Sequence, residues 1–199
     1  MIEDIRQNRT TLKNLLEQIQ VTDAQKKTVA FEQATESVIQ MILKQNEKGK
    51  KIIFIGNGGS AAIASHMATD FWKNAGIKAI AFNDGVLLTC LSNDCGYEAV
   101  FEKSIEMFAE SGDVLIAISS SGKSQNILRA VDAAGPKAMH IITFSGFAAD
   151  NPLRKKGEVN FYVPSAEYGH VEVLHHSICH LLIDVIIKNK TKTVELRLK

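Results

Sequence analysis

Cysteine and proline occur only three times each in the 199 residues. Cys90, Cys95 and Cys179 are odd in number and lack CxxC spacing, which favours neither a disulfide framework nor a cysteine zinc site. They read as buried or half-buried free thiols. Charge of one sign is also missing: 23 Lys and Arg face 22 Asp and Glu, for a net charge of +1. With no basic block and no aromatic-interleaved basic stripe, a nucleic-acid surface is not expected, and any phosphate bound should be a small one. No uninterrupted apolar stretch approaches the roughly 20 residues that span a bilayer. The opening MIEDIRQNRT carries neither an apolar h-region nor a small-residue cleavage site, so the expectation is a cytoplasmic chain without a membrane partner. Two nucleotide motifs are absent as well. No GxGxxG follows the first apolar run, and Ile80-Ala81-Phe82-Asn83 runs into Asp84-Gly85 without the acidic residue that holds a ribose. Lys123 lacks the glycine spacing of a Walker loop and reads as readily as a solvated surface lysine.

What is present is an alternation. At 45% hydrophobic content the chain can bury one substantial core, so a single domain over 1–199 is expected. Residues 5 to 48 are almost free of glycine and proline and read as one or two long amphipathic helices, with Thr22-Asp23-Ala24-Gln25 as a capping-box start for the second. This arm, 1–48, has no strand to cover. Its stripe of Val29, Phe31, Ala34, Val38, Ile39, Met41, Ile42 and Leu43 must pack on the main domain or on another subunit. The α/β core follows over 49–190. Strands are predicted at 51–56, 78–82, 113–119, 139–144 and 159–163, and helical segments at 60–74, 84–90, 97–109, 124–134 and 170–189, with a short turn of helix near 151–156. That order describes a doubly wound, five-stranded parallel sheet. The tail 191–199 alternates Val-Glu-Leu-Arg-Leu and reads as an edge strand or a loose end.

Two turns carry the chemistry. Lys51–Ile55 and Asp113–Ile118 are β-branched runs suited to strands buried on both faces, and each runs into a polar turn before a helix. The first turn is Gly56-Asn57-Gly58-Gly59-Ser60, whose glycines permit a sharp bend and a close approach to a ligand. Capping alone would explain Ser60 about as well. The second, Ser119-Ser120-Ser121-Gly122-Lys123-Ser124, puts four hydroxyls in six residues, more than one cap needs. Together they read as a cradle for a phosphate monoester at the carboxyl edge of the sheet.

GNGGSAAIASHMATDF, LSNDCGY, GDVLIAISSSGKS and VEVLHHSICHLLIDVI occur in the order and spacing of the sugar isomerase (SIS) domain. From about residue 5 to 190 the chain resembles the sedoheptulose 7-phosphate (phosphoheptose) isomerases. The resemblance implies a flavodoxin-like SIS fold and an aldose-ketose isomerase converting D-sedoheptulose 7-phosphate to D-glycero-D-manno-heptose 7-phosphate, for lipopolysaccharide or similar glycans. Related members bind phosphosugars without isomerising them, and one branch binds a replication initiator, so a non-catalytic binding protein or an isomerase of a related phosphosugar is the alternative.

Carried across by position, the resemblance implies phosphate binding by Asn57, Ser60, Ser119, Ser121 and Ser124, and sugar-hydroxyl contacts by Asn93 and Asp94; Gly58 and Ser120, in the same turns, are candidate substrate-binding residues beside them. The family's His, Glu, Gln and His around the reaction centre, which bind zinc in several members, correspond to His66, Asp70, Glu172 and His180. Asp70 is one methylene shorter than the usual glutamate, and Glu172 replaces glutamine with a carboxylate able to bind substrate or a divalent cation. Asp70 first and Glu172 second are the candidate bases, with His180 as acid/base partner. Glu172, His176 and His180 share a helix face at i, i+4, i+8, and periodicity alone ranks His176 with its neighbours; the resemblance favours His180. His175 and His176 then read as interface or helix-surface residues. A homotetramer with sites shared between subunits is implied too.

Overall fold

The computed structural model describes residues 1–197, with side-chain surroundings given through residue 190. Its elements run α1 (Ile2–Glu17), β1 (Gln20–Asp23), β2 (Thr28–Val29), α2 (Phe31–Glu47), β3 (Ile52–Gly56), α3 (Gly59–Asn74), β4 (Ala79–Ala81), α4 (Gly85–Cys95), α5 (Val100–Phe108), β5 (Val114–Ser119), α6 (Gln125–Ala134), β6 (His140–Ser145), β7 (Val159–Tyr162) and α7 (Tyr168–Arg197). Single 3-10 turns occupy Tyr97–Ala99 and Pro152–Lys155.

The sheet has strand order β2-β1-β7-β6-β5-β3-β4. Its five expected strands, β3 to β7, are parallel, and β1 and β2 extend it as an antiparallel hairpin. That hairpin corrects the reading of 5–48 as helix alone. Thr22 and Asp23 end a strand instead of starting a helix. Asp23 organises the bend by accepting the Lys27 amide on its carboxylate at 2.9 Å, while Lys26 takes a positive φ of 64°. The β-branched Val21, Thr22, Thr28 and Val29 suit a pleated pair better than a helix turn. The arm also covers a strand after all. Val38 and Ile42 of α2 are fully buried in the same core as Phe54, Ile116 and Phe161. Within the arm, α1 stays exposed over most of its length, burying Leu15 alone.

One apolar core lies on each face of the sheet. Phe54, Ile116 and Ile118 face α2, α3 and α7, whereas Ile53, Ile55, Leu115 and Ala117 face α5 and α6. This alternation along strands buried on both sides is what reads in sequence as a continuous apolar run. Helix α7 seats Val171, Leu174, Ile178, Leu182 and Ile186 in the interior, each worth about 1.5–3 kcal/mol of burial. It is long and apolar enough over Tyr168–Lys190 to cross a membrane by length and composition, and half of that window is buried within the fold as a core helix. The helix continues through the predicted tail to Arg197, so 191–197 is neither strand nor loose end; 198–199 lie outside the described residues. Cys90 and Cys95 are exposed on α4, not buried as expected, while Cys179 is buried and its thiol pushed up to about 12 by desolvation.

Candidate functional site

Strands β3 and β5 are neighbours, with Gly56 opposite Ile118, so the two polar turns leave the sheet side by side. Chain order reverses here: β4 lies beyond β3 on one side, and β5, β6 and β7 follow on the other. Such a switch point leaves a crevice between the diverging helices. The crevice is a cleft of ≈ 230 Å³ whose walls include Asn57 to Ser60, Ser119 to Ser121, Ser124, Tyr168 and Glu172.

The serine hydroxyls are not consumed by helix capping. Ser124 is the N-cap of α6 and Gly58 that of α3, and neither helix start receives a side-chain cap bond. Ser119 Oγ reaches Ser124 Oγ at only 3.4 Å, and Ser121 Oγ accepts the Lys123 amide at 3.3 Å. Ser120 Oγ is buried with no partner. Buried hydroxyls normally find one, so a row of weakly used or unused hydroxyls beside two helix N-termini is suited to an anion with several acceptor oxygens.

A second layer holds the turns in place. Asn57 and Asn126 form a reciprocal amide pair at 2.8 and 2.9 Å. The Ile127 amide donates to Asn126 Oδ1 at 3.0 Å, which fixes the direction of the whole pair. The Tyr97 hydroxyl then donates to Asn57 Oδ1 at 2.9 Å, tying the end of α4 to the glycine turn. On the other side Gly122 takes φ +63°, a left-handed conformation suited to glycine, and packs against the buried Asn151 so closely that a Cβ would overlap it. Asn151 Nδ2 donates to the Gly146 and Ala148 carbonyls at 3.1 and 2.8 Å, and its Oδ1 accepts the Arg154 amide at 2.9 Å. Sequence reading missed Tyr97, Asn126, Asn151 and Tyr168. Asn126, in the first turn of a helix, and Asn151, just before a proline, looked like ordinary helix and turn residues.

The expected reaction-centre residues divide into two groups. Glu172 stands in the cleft, its carboxylate against Gly59 where any side chain would collide with it. His66 and His180 lie apart from that carboxylate and are joined by His176: one ring nitrogen from each falls within 4.8 Å of the other two. The rings touch edge-on or tilted, with centroids 4.7 to 5.3 Å apart. Asp70 sits behind this trio, 3.3 Å from His66 Nε2, and accepts the Asn74 amide at 3.1 Å. Burial, then the neighbouring His180 and His66, hold the His176 imidazole below its ordinary value, while Asp70 opposes them. Helices α3 and α7 run in the same sense, with Gly59 beside Glu172 and His66 beside His176 and His180. The seven residues from Gly59 to His66 put the imidazoles about 10 Å along α3 from the glycine turn, the scale of an extended phosphorylated sugar.

His175 is a structural residue. It is fully buried, Nε2 donates to the Ser145 carbonyl at 3.0 Å, and desolvation lowers its pKa to about 4. Asn93 and Asp94 stand at the exposed end of α4, bonded to each other at 2.8 Å and outside the cleft wall, although Tyr97 just beyond them reaches it.

A family model described as the SIS domain matches residues 10–146. A phosphoheptose isomerase of Thermodesulfovibrio yellowstonii is 35% identical over 155 residues, covering 75% of this chain and 77% of that one. The phosphoheptose isomerase of Photorhabdus laumondii is 39% identical over 150 residues, covering 72% and 77%. Among solved structures, a phosphoheptose isomerase from Neisseria gonorrhoeae superposes with a TM-score of 0.80 at 29% identity, covering 92% of this chain and 98% of that chain.

Proposed function

We infer the reaction from one premise: this chain belongs to the SIS domain family and, within it, to the phosphoheptose isomerases. It is an isomerase of phosphosugars, and its reaction is the interconversion of D-sedoheptulose 7-phosphate and D-glycero-D-manno-heptose 7-phosphate. The observation that carries this reading is the serine-lined cleft, with hydroxyls left over from capping and an imidazole–carboxylate group one sugar length away.

The phosphate takes the amides and hydroxyls of the Gly56–Ser60 and Ser119–Ser124 turns, which fixes one end of the open-chain sugar. Aldose-ketose exchange then needs a base to move a proton between adjacent carbons, stabilisation of the enediolate, and an acid to shuttle the hydroxyl proton. Asp70 and Glu172 are the carboxylates available as base, and Glu172 stands nearer the cradle. A carboxylate there is unfavourable beside a phosphate but suited to accept sugar hydroxyls; the carbon-bound proton, at the end of the sugar remote from the phosphate, falls to Asp70 beside the imidazoles. Where no ion occupies its lone pair, His180 exchanges the hydroxyl proton. The nitrogen-rich face of α3 and α7 fits a zinc ion, which when bound polarises the sugar carbonyl; His66 and His180 would hold it.

The chain works as a homotetramer in the cytoplasm, feeding heptose into glycan precursors. Helix α4 buries none of its residues within the chain, and its Val86 and the neighbouring Met107 and Phe108 of α5 lie exposed, a surface that a second copy would cover. Light scattering after size exclusion should give four times the chain mass of 21.8 kDa. The reaction is tested by following sedoheptulose 7-phosphate by NMR: heptose 7-phosphate should accumulate, and no turnover with or without added zinc refutes the reaction.

A further inference from the structure

His176 belongs to no set that the family pattern transfers to this chain, yet its Nε2 is the buried nitrogen on this helix face with the least use for its position. It has no hydrogen-bond partner, and it stands in a group with His66 and His180. A buried imidazole nitrogen without a partner forfeits a hydrogen bond unless something else occupies its lone pair. The geometry points to a three-imidazole site for a borderline divalent cation of the Zn²⁺ or Co²⁺ class, with His66, His176 and His180 as its protein ligands and Asp70 beside His66 without coordinating.

Several features favour this set over one built on carboxylates. Three ring nitrogens within 4.8 Å of one another need only small rotamer shifts to converge on one ion. Glu172 does not share that cluster, because its carboxylate is committed to the glycine turn at the head of α3. Asp70 lies 3.3 Å from His66 Nε2 but is not among the groups whose ligand atoms converge, which places it beside the cluster rather than in it. All-nitrogen ligation selects zinc, cobalt, nickel or copper over magnesium and calcium, which require oxygen. Three protein ligands also leave a fourth position open, the pattern of catalytic rather than structural zinc. Neutral imidazoles do not compensate the ion's charge, which favours an oxygen ligand such as a sugar carbonyl or hydroxyl at that position. The assignment deepens the reading above by naming the ligands of its ion, and it is testable without turnover.

The full chain, stripped with chelator and titrated with Co²⁺, should develop the intense visible bands of a four-coordinate nitrogen-rich site at one equivalent. His176→Ala and the bulkier His176→Gln should each weaken Co²⁺ binding by at least the 10–100-fold typical of losing a residue that merely orients a ligand, with weaker bands. Asp70→Asn should cost less than either, and Glu172→Gln should leave affinity and spectrum unchanged. Absence of Co²⁺ binding by the parent, or parental affinity in both folded His176 variants, overturns the site. So does a loss on Glu172→Gln that exceeds the loss on His176→Gln. Parental Co²⁺ binding together with no turnover of sedoheptulose 7-phosphate would sustain the site while refuting the reaction.

Discussion

Replacing Gly122 by alanine probes the serine turn where it is most constrained. Gly122 sits at φ +63°, and moving an L-residue into the left-handed region costs about 1–2 kcal/mol. The added Cβ would also overlap the Asn151 side chain, which is 1% exposed and makes three hydrogen bonds. Displacing it forfeits those bonds at about 0.5–1.5 kcal/mol each, so Gly122→Ala should lose about 2.5–6.5 kcal/mol in total. Asn151→Ala alone loses only the second part, about 1.5–4.5 kcal/mol. In the double variant the amide that caused most of the overlap is gone, and the remaining obstacle is the Asn151 Cβ at 2.9 Å. The two changes should therefore be strongly non-additive, because the Asn151 bonds are lost only once, the double variant recovering up to about 1.5–4.5 kcal/mol relative to the sum. Urea denaturation of the four proteins measures the cycle, and sedoheptulose 7-phosphate affinity should fall in Gly122→Ala in parallel. Additivity within about 0.5 kcal/mol would refute the claim that Asn151 is the wedge that shapes the turn.

Ser121→Ala should weaken phosphosugar binding by about 1–3 kcal/mol, the loss of one hydrogen bond to a charged group, read by calorimetry; unchanged affinity would discredit the cradle. Tyr97→Phe removes the bond to Asn57 at 2.9 Å and should weaken the same ligand by about 0.5–1.5 kcal/mol with little change in melting temperature. Buried His175 predicts an acid-sensitive fold. Its pKa falls from 6.5 to about 4 on folding, so the unfolded chain binds the extra proton between those values. Stability attributable to it is complete above 6.5 and is lost as pH falls towards 4, by about 3 kcal/mol in all. Urea midpoints at pH 7.5, 6 and 5 should decline in the parent, and the decline should be shallower in His175→Gln; equal slopes would refute the assignment.

The parallel core was legible because strands buried on both faces leave uninterrupted β-branched runs, and Ile52–Gly56 and Val114–Ser119 both lie within or at the edge of such runs. The hairpin of β1 and β2 was hidden because it is short, flanked by helices and marked only by Asp23 and a left-handed lysine, neither a strong turn signal. Four serines between a strand and a helix announced an anion cradle, but Asn126 and Asn151, which fix its shape, carry no local signature because each acts on a segment distant in sequence.

Residue order alone determined the alternation of strands and helices, the two polar turns at strand tips and the stepping of Glu172, His176 and His180 along one helix face, since all three follow from periodicities of two or 3.6 residues. Tertiary structure alone decided which of those side chains meet. Glu172 is drawn to Gly59 at the head of α3 while His176 and His180 lie against His66 two turns further on, because α3 and α7 pack side by side in the same sense. A one-dimensional pattern carries the face of a helix but not the depth at which a second helix crosses it, and that depth separates the anion end of the site from its imidazole end.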